Sequence, residues 1–316
     1  MQTPAFFQAL ASAERILIAG AGGGFDVYAG LPLALSLSSV GKQVFLANLS
    51  FSDLRVLHPE PWLDDQIAAV GPDPTGVAGY FPERTLATWL AANGFPATVY
   101  AFPKTGVLPL RAAYQILIEQ LALDAIVLVD GGTDILCRGD ESGLGTPVED
   151  MTSLAAVNGL TEVPVRLVAS IGFGIDAYHG VNHVQVLENI ADLDREGAYL
   201  GVFSATSRSP EAVLYREAVA HAQVTTPMWP SIVNGQIAAA LRGEIGDVRF
   251  TRRTANSPLF VNPLMAIYFT VDLDALAARC LYLDRIEHTV GMRQVWTRIE
   301  QYRDDISPRI PKAFPH

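Results

Sequence analysis

Residues 126–134 read IVLVDGGTD: four apolar, mostly β-branched residues, then an aspartate, two glycines, a threonine and a second aspartate. An apolar run this short and unbroken does not alternate between core and water, so it fits a strand buried on both faces of a parallel sheet. Glycine directly after such a strand lets the chain turn and lets a ligand approach the backbone closely. The same pattern stands upstream, where ILIA at 16–19 runs into GAGGGFD at 20–26, and downstream, where VRLVA at 165–169 leads into IGFGIDAYHGVNH at 171–183. Further apolar runs at 44–47, 98–102, 200–203 and 266–271 bring the predicted strands to seven.

Helical patterns separate these runs, several with legible starts. Thr146-Pro147-Val148-Glu149 reads as a capping box with proline at the first helical position, ahead of a helix over 151–157. Ser209-Pro210-Glu211 opens a helix over 212–222, and Asp272 caps one over 273–283. Strand and helix in alternation predict an α/β fold: a doubly wound, mostly parallel sheet of about seven strands in a Rossmann-like, three-layer α/β/α arrangement. A single domain over residues 1–316 accounts for the pattern, with loop elaborations near 59–82 and 243–263.

Composition narrows the function classes. The chain has 22 Lys and Arg against 33 Asp and Glu, a net charge of −11, so its field repels nucleic acid and anionic membranes. A small-molecule substrate is the expected partner. Half the residues are hydrophobic, 17% are charged and the mean hydropathy is +0.24, which predicts apolar surface covered in a homo-oligomer. Cys137 and Cys280 stand alone, with no pattern of a disulfide scaffold or structural zinc site, as expected of a cytoplasmic protein. No basic segment precedes the first apolar residues, and no apolar stretch approaches membrane-spanning length.

Ligands of open parallel sheets bind beyond the carboxyl ends of the strands, so the loops there carry the functional reading. Three of them share glycine, any residue, aspartate: Gly24-Phe25-Asp26, Gly132-Thr133-Asp134 and Gly174-Ile175-Asp176. Glycine and aspartate are also ordinary turn residues, but three such corners on one sheet edge predict a shared crevice. Acids crowd the fourth loop, at Asp130, Asp134, Asp140, Glu141, Glu149 and Asp150, and convergence of two or three would raise a pKa or bind Mg²⁺ or Mn²⁺. Glu149 is expected to be occupied by capping.

The catalytic candidates are Asp130, Asp134, Asp176, His179 and His183. His179 and His183 are four apart, so on a helix they share a face and make a candidate metal pair; packing of one and solvation of the other is the plain alternative. Candidate substrate contacts are Gly22, Gly23, Gly24, Asp26, Lys104, Gly132, Thr133, Thr206 and Arg208, the last in a hydroxyl-rich loop suited to an anion. Arg252 and Arg253 could close over that anion or form surface ion pairs. Cys137 has acidic neighbours that oppose a thiolate. The GAGGG run departs from the dinucleotide fingerprint at Phe25, and residue 48 is Asn where an acid would hold a ribose. The sequence fixes no cofactor: a divalent metal is an option, and the fingerprint counts against NAD or S-adenosylmethionine.

Over most of the chain, GAGGGFD, VDGGTDILCRGDESGLGTPVEDM and the FGID-histidine segment resemble a bacterial and archaeal family of unknown function. The resemblance implies a Rossmann-like architecture with these loops in one site, and brings no activity with it. The expectation from the residues is an enzyme, of hydrolase or lyase type, acting on a small polar, anionic metabolite by acid–base or metal-assisted chemistry. The alternatives are a nucleotide- or S-adenosylmethionine-dependent transferase using the GAGGGFD loop, and a non-catalytic metabolite-binding protein.

Overall fold

All seven predicted strands form, and their side chains explain why their sequences do not alternate. In β1 (Arg15–Gly20), Leu17 and Ala19 enter one hydrophobic core while Ile16 and Ile18 enter another on the opposite face of the sheet. In β6 (Ala125–Asp130), Ile126 and Leu128 share the first core and Val127 and Val129 the second. The two-residue period of a strand thus feeds both faces, and both need apolar side chains. The computed structural model describes residues 3–57, 61–72, 79–251 and 260–314.

The other strands of the main sheet are β2 (Gln43–Leu49), β3 (Trp62–Asp64), β4 (Ile67–Val70), β5 (Val99–Phe102), β7 (Val165–Ile171), β8 (Tyr199–Ser204) and β11 (Ile267–Asp272); β9 (Gly246–Asp247) and β10 (Phe260–Val261) pair separately. The sheet has nine strands, in the order β3-β4-β5-β2-β1-β6-β7-β11-β8. This corrects the expected seven. β3 and β4 come from the elaboration predicted near 59–82, where the chain folds back and adds antiparallel to the free edge of β5. β5, β2, β1, β6 and β7 are mutually parallel, and β11 runs antiparallel between β7 and β8. Numbered by themselves, the seven predicted strands lie 3-2-1-4-5-7-6, which differs from the dinucleotide-binding order by the reversed strand inserted next to the edge.

Helices cover both faces, making three layers. Against one face pack α5 (Val107–Leu121), α6 (Pro147–Asn158), α7 (His183–Arg195), α10 (Leu273–Arg279), α11 (Leu283–Ile286) and α12 (Met292–Asp305). Against the other pack α1 (Ala5–Ala9), α2 (Asp26–Ala29), α3 (Leu31–Ser39), α4 (Pro82–Ala92), α8 (Pro210–Thr225) and α9 (Ile232–Leu241). Ser209 and Asp272 cap α8 and α10 as predicted, accepting from the Ala212 and Ala275 N–H at 3.3 and 2.9 Å. The helix expected over 273–283 breaks at Cys280, because the Leu281 N–H leaves the helical ladder to donate to the Arg138 carbonyl at 2.8 Å. No helix of the described residues is long and apolar enough to cross a membrane.

Candidate functional site

The chain leaves β1 to build β2 and β5 on one side of it, then returns to its other side to build β6 and β7. β1 and β6 therefore flank the point where the winding reverses, and the loops beyond their carboxyl ends part to leave a crevice. The three Gly-x-Asp corners meet there. Asp26 follows β1, Asp134 lies in a single 3-10 turn after β6 (Asp134–Leu136), and Asp176 lies in another after β7 (Ile175–His179). Asp130 ends β6 and Asp150 stands in the first turn of α6, which gives five carboxylates from three strand ends with their loops and one helix start.

Backbone donors fix this cluster. Asp26 Oδ2 accepts from the Gly22 N–H at 2.8 Å, and Asp176 Oδ2 from the Thr133 N–H at 2.6 Å. Asp134 Oδ2 accepts from the Thr146 N–H and hydroxyl at 2.8 and 3.1 Å. The glycines make room: a Cβ at Gly22 would lie 2.6 Å from Asp26 Oδ2 and 3.0 Å from Asp150 Oδ1, and one at Gly132 would lie 2.6 Å from Asp176 Oδ2. Oxygens of Asp26, Asp130 and Asp150 all lie within 4.8 Å of one another. Asp150 Oδ1 is buried with no hydrogen-bond partner.

Burial and mutual repulsion dominate the electrostatics. Desolvation, opposed by the Gly22 and Gly131 N–H groups and aided by Asp134 and Glu149, raises the Asp26 pKa from 3.8 to about 7. Desolvation followed by neighbouring carboxylates pushes Asp130 and Asp150 well above the usual range, and Asp176 likewise despite its bonds to Thr133. Asp134 is raised by desolvation, less so because Thr146 and His179 favour its charged form. Among the described residues, no Lys or Arg forms a salt bridge with any of the five.

A cavity of about 590 Å³ opens beside this cluster, lined by Gly22, Gly23, Gly24, Asp26, Thr146, Glu149, His179 and the aromatic rings of Phe25, Phe51, Tyr80 and Tyr178, with the start of α9 as another wall; of the five acids Asp26 alone lines it, and Asp130, Asp134, Asp150 and Asp176 lie buried beneath. Lys104 stands beside it, its ammonium 3.8 Å from the centre of the Phe51 ring and 3.6 Å from Glu149. An apolar groove of about 380 Å³ between α3 and α4 holds none of these groups.

Several expectations change. His179 and His183 share no helix face: Gly180, at φ +87°, ends the 3-10 turn after His179, and Asn182 caps α7, of which His183 is the first residue. His179 is exposed at the cavity, and His183 packs on Phe173 with its Nε2 buried and unpartnered. Gly132 and Thr133 do not touch the cavity; they are buried behind Asp176 and hold it in place. Thr206 and Arg208 are exposed beyond β8, at the outer edge of the sheet, and do not line the cavity. No capping box forms at α6, since the Thr146 hydroxyl serves Asp134 and Glu149 turns to Lys104. Asp140 and Glu141 leave the cluster to pair with Arg309. Arg252 and Arg253 lie outside the described residues.

Asn48 is buried at the end of β2, its Nδ2 donating to the Gly24 carbonyl and to Glu83 Oε1, both at 2.7 Å. It braces the glycine loop from behind. Cys137 is buried, and desolvation with Glu141 nearby pushes its thiol well above the usual range, which opposes the thiolate a nucleophile needs. Sequence reasoning named Asp150 among the crowded acids of the fourth loop without singling it out as a site residue, and left out all of α9. The signal for α9 was present: Pro230-Ser231 precedes the apolar IVNGQIAAAL, and Ser231 Oγ accepts from the Asn234 N–H at 3.1 Å.

With loops, glycines and acids in this arrangement, residues 17–303 match the family described as "Protein of unknown function (DUF1152)". The chain belongs to this family. No curated protein and no solved structure matches it. The match spans β1 to α12, so the five acids, the glycine loop and the α9 wall all lie within the family's own extent.

Proposed function

We propose that the chain is an enzyme that acts on a small polar, anionic metabolite in the cavity over β1 and β6, with a divalent metal ion held by Asp26, Asp130 and Asp150. The observation that carries this reading is the trio of carboxylate oxygens within 4.8 Å of one another, together with the buried, unpartnered Oδ1 of Asp150, one of the three residues. Ligand oxygens around Mg²⁺ at about 2.1 Å, or around Ca²⁺ at about 2.4 Å, are separated by distances of this order. An all-oxygen set suits Mg²⁺, Mn²⁺ or Ca²⁺ better than zinc.

The charge balance supports the same reading. Buried carboxylates without cationic partners are costly, and they are relieved either by protons or by a bound cation. An anionic substrate over five such groups would be repelled unless their charge were neutralised. When bound, a divalent ion supplies Lewis acidity and lowers the pKa of a coordinated water. The chain's own contribution is placement: Asp26, at the cavity floor, carries a pKa of about 7 in the metal-free chain, so near neutral pH its charge can be neutralised by a proton or by the cation that displaces it. Thr146 and Thr133 hold Asp134 and Asp176 in fixed orientation beside it. Hydrolysis, elimination or cyclisation uses these groups directly.

A second reading follows from the aromatic rings of Phe51 and Tyr80 beside the glycine loop, which could stack on an adenosine group of a transferase cofactor. Against it, the ribose-anchoring position is Asn48, already committed to Gly24 and Glu83. Native mass spectrometry with metal analysis separates the two. The metal reading expects about one divalent ion per chain and no adenosine-cofactor adduct, and a chain that takes up S-adenosylmethionine but no metal would overturn it.

A further inference from the structure

The wall facing the carboxylates is the start of α9, and it is built from donors. Ser231, Ile232 and Val233 line the cavity, and the N–H groups of Ile232 and Val233, at the first two helical positions, have no partner among the described residues. Gln236 lies three and four residues on, so it shares their helix face. Its side chain lines the same cavity, is only 2% exposed, and makes no hydrogen bond with any described residue. Its amide is therefore available to pair with a ligand in the cavity.

This wall is rigid and close to the acids. Asn234, between the lining residues, donates from Nδ2 to the Phe25 carbonyl at 3.1 Å and accepts at Oδ1 from the Tyr215 hydroxyl at 2.8 Å, tying α9 to the glycine loop. A Cβ at Gly131 would lie 2.9 Å from Val233 Cγ1 and 3.1 Å from Asp26 Oδ1, so the helix start and the carboxylate floor meet at that glycine.

We propose that Gln236 and the free N–H groups of Ile232 and Val233 form a subsite for an oxyanion, a carboxylate or phosphate group of the substrate, next to the carboxylate centre. Two backbone donors, the positive end of a ten-residue helix and an amide NH₂ present donors on one face, and an oxyanion is the group that accepts them all. The assignment rests on the cavity being a substrate site, and it narrows the substrate to a metabolite carrying an oxyanion within a few bonds of the reacting centre.

The test is calorimetric titration of the Mn²⁺-loaded chain with inorganic phosphate and with acetate, in the wild type and in Gln236→Leu, Gln236→Glu and Ile232→Pro. Proline is well tolerated at a first helical position and deletes one N–H there, so that variant carries the test if a Gln236 variant fails to fold. At least one anion should bind the wild type, and which of the two does so identifies the group. Gln236→Leu and Ile232→Pro should each weaken it about tenfold or more, Gln236→Glu further still, with Mn²⁺ affinity unchanged. Anion binding that is the same in all folded variants, or absent from the Mn²⁺-loaded wild type, would overturn the subsite. If phosphate binding depends on Gln236 while no Mn²⁺ is taken up, the subsite stands and the metal reading falls.

Discussion

Raising the pH of the metal-free chain from about 5 to 8 should destabilise it, and Mn²⁺ should reverse much of the loss. Asp26 carries a pKa of about 7 in the fold against 3.8 as a free side chain. The folded form therefore binds more protons than the unfolded form between about pH 4 and 7, and its stability falls as pH rises through that window. From about pH 5 the fall covers about two pH units, and at about 1.36 kcal/mol per unit the loss from Asp26 is on the order of 3 kcal/mol. With 316 residues, and about 2.1 cal/mol/K of unfolding entropy per residue, that moves the melting midpoint by ~4 °C. Glu83, raised from 4.5 to about 7 by desolvation, adds a loss of the same sign that metal does not relieve. Scanning calorimetry in EDTA from about pH 5 to 8 should thus show a falling midpoint. Asp26→Asn should make the slope shallower without abolishing it, because Asp130, Asp150 and Asp176 are raised as well, and saturating Mn²⁺ at about pH 8 should raise the midpoint of the wild type. A metal-free midpoint that is flat or rising over this range would refute the reasoning.

Other perturbations separate the site from the scaffold. Gly22→Ala places a methyl group 2.6 Å from Asp26 Oδ2 and should abolish stoichiometric Mn²⁺ uptake while circular dichroism stays native, since the strain is confined to the loop tip. Arg309→Met leaves buried Glu141 without its guanidinium partner at 2.9 Å, and should cost about 2–3 kcal/mol in urea unfolding with little change in Mn²⁺ affinity. Cys137 should resist iodoacetamide in the native chain near pH 8 and react only on unfolding, by mass spectrometry, because its thiol is buried and raised.

Much of the fold was legible because the central strands bury both faces, and an unbroken apolar run is what that demands. β3 and β4 escaped for the opposite reason: Leu63 and Asp64 face solvent at an outer edge, and β4 has only four residues. The Gly-x-Asp corners were readable because a close approach to a carboxylate excludes a Cβ, as at Gly22 and Gly132, and local sequence records it. Asp150 was visible only as one of six crowded acids, since an acid in a first helical turn is equally explained by the helix dipole. Arg208 looked like a ligand group because its loop follows a strand end; only the topology, with β11 inserted between β7 and β8, moves that end away from the switch point. The histidine spacing misled because a left-handed glycine at 180 interrupts the helix that the spacing assumes. Gln236 has no local signal at all. Its role depends on which wall α9 forms.

The central claim is that Asp26, Asp130 and Asp150 together hold a divalent cation, and calorimetric titration of Mn²⁺ into the wild type and into Asp150→Asn near pH 8 tests it most directly. About one ion per chain should bind the wild type, and the variant, which keeps the shape but loses one anionic oxygen, should bind at least about tenfold more weakly. Equal binding by the two proteins, or none by the wild type, would contradict it.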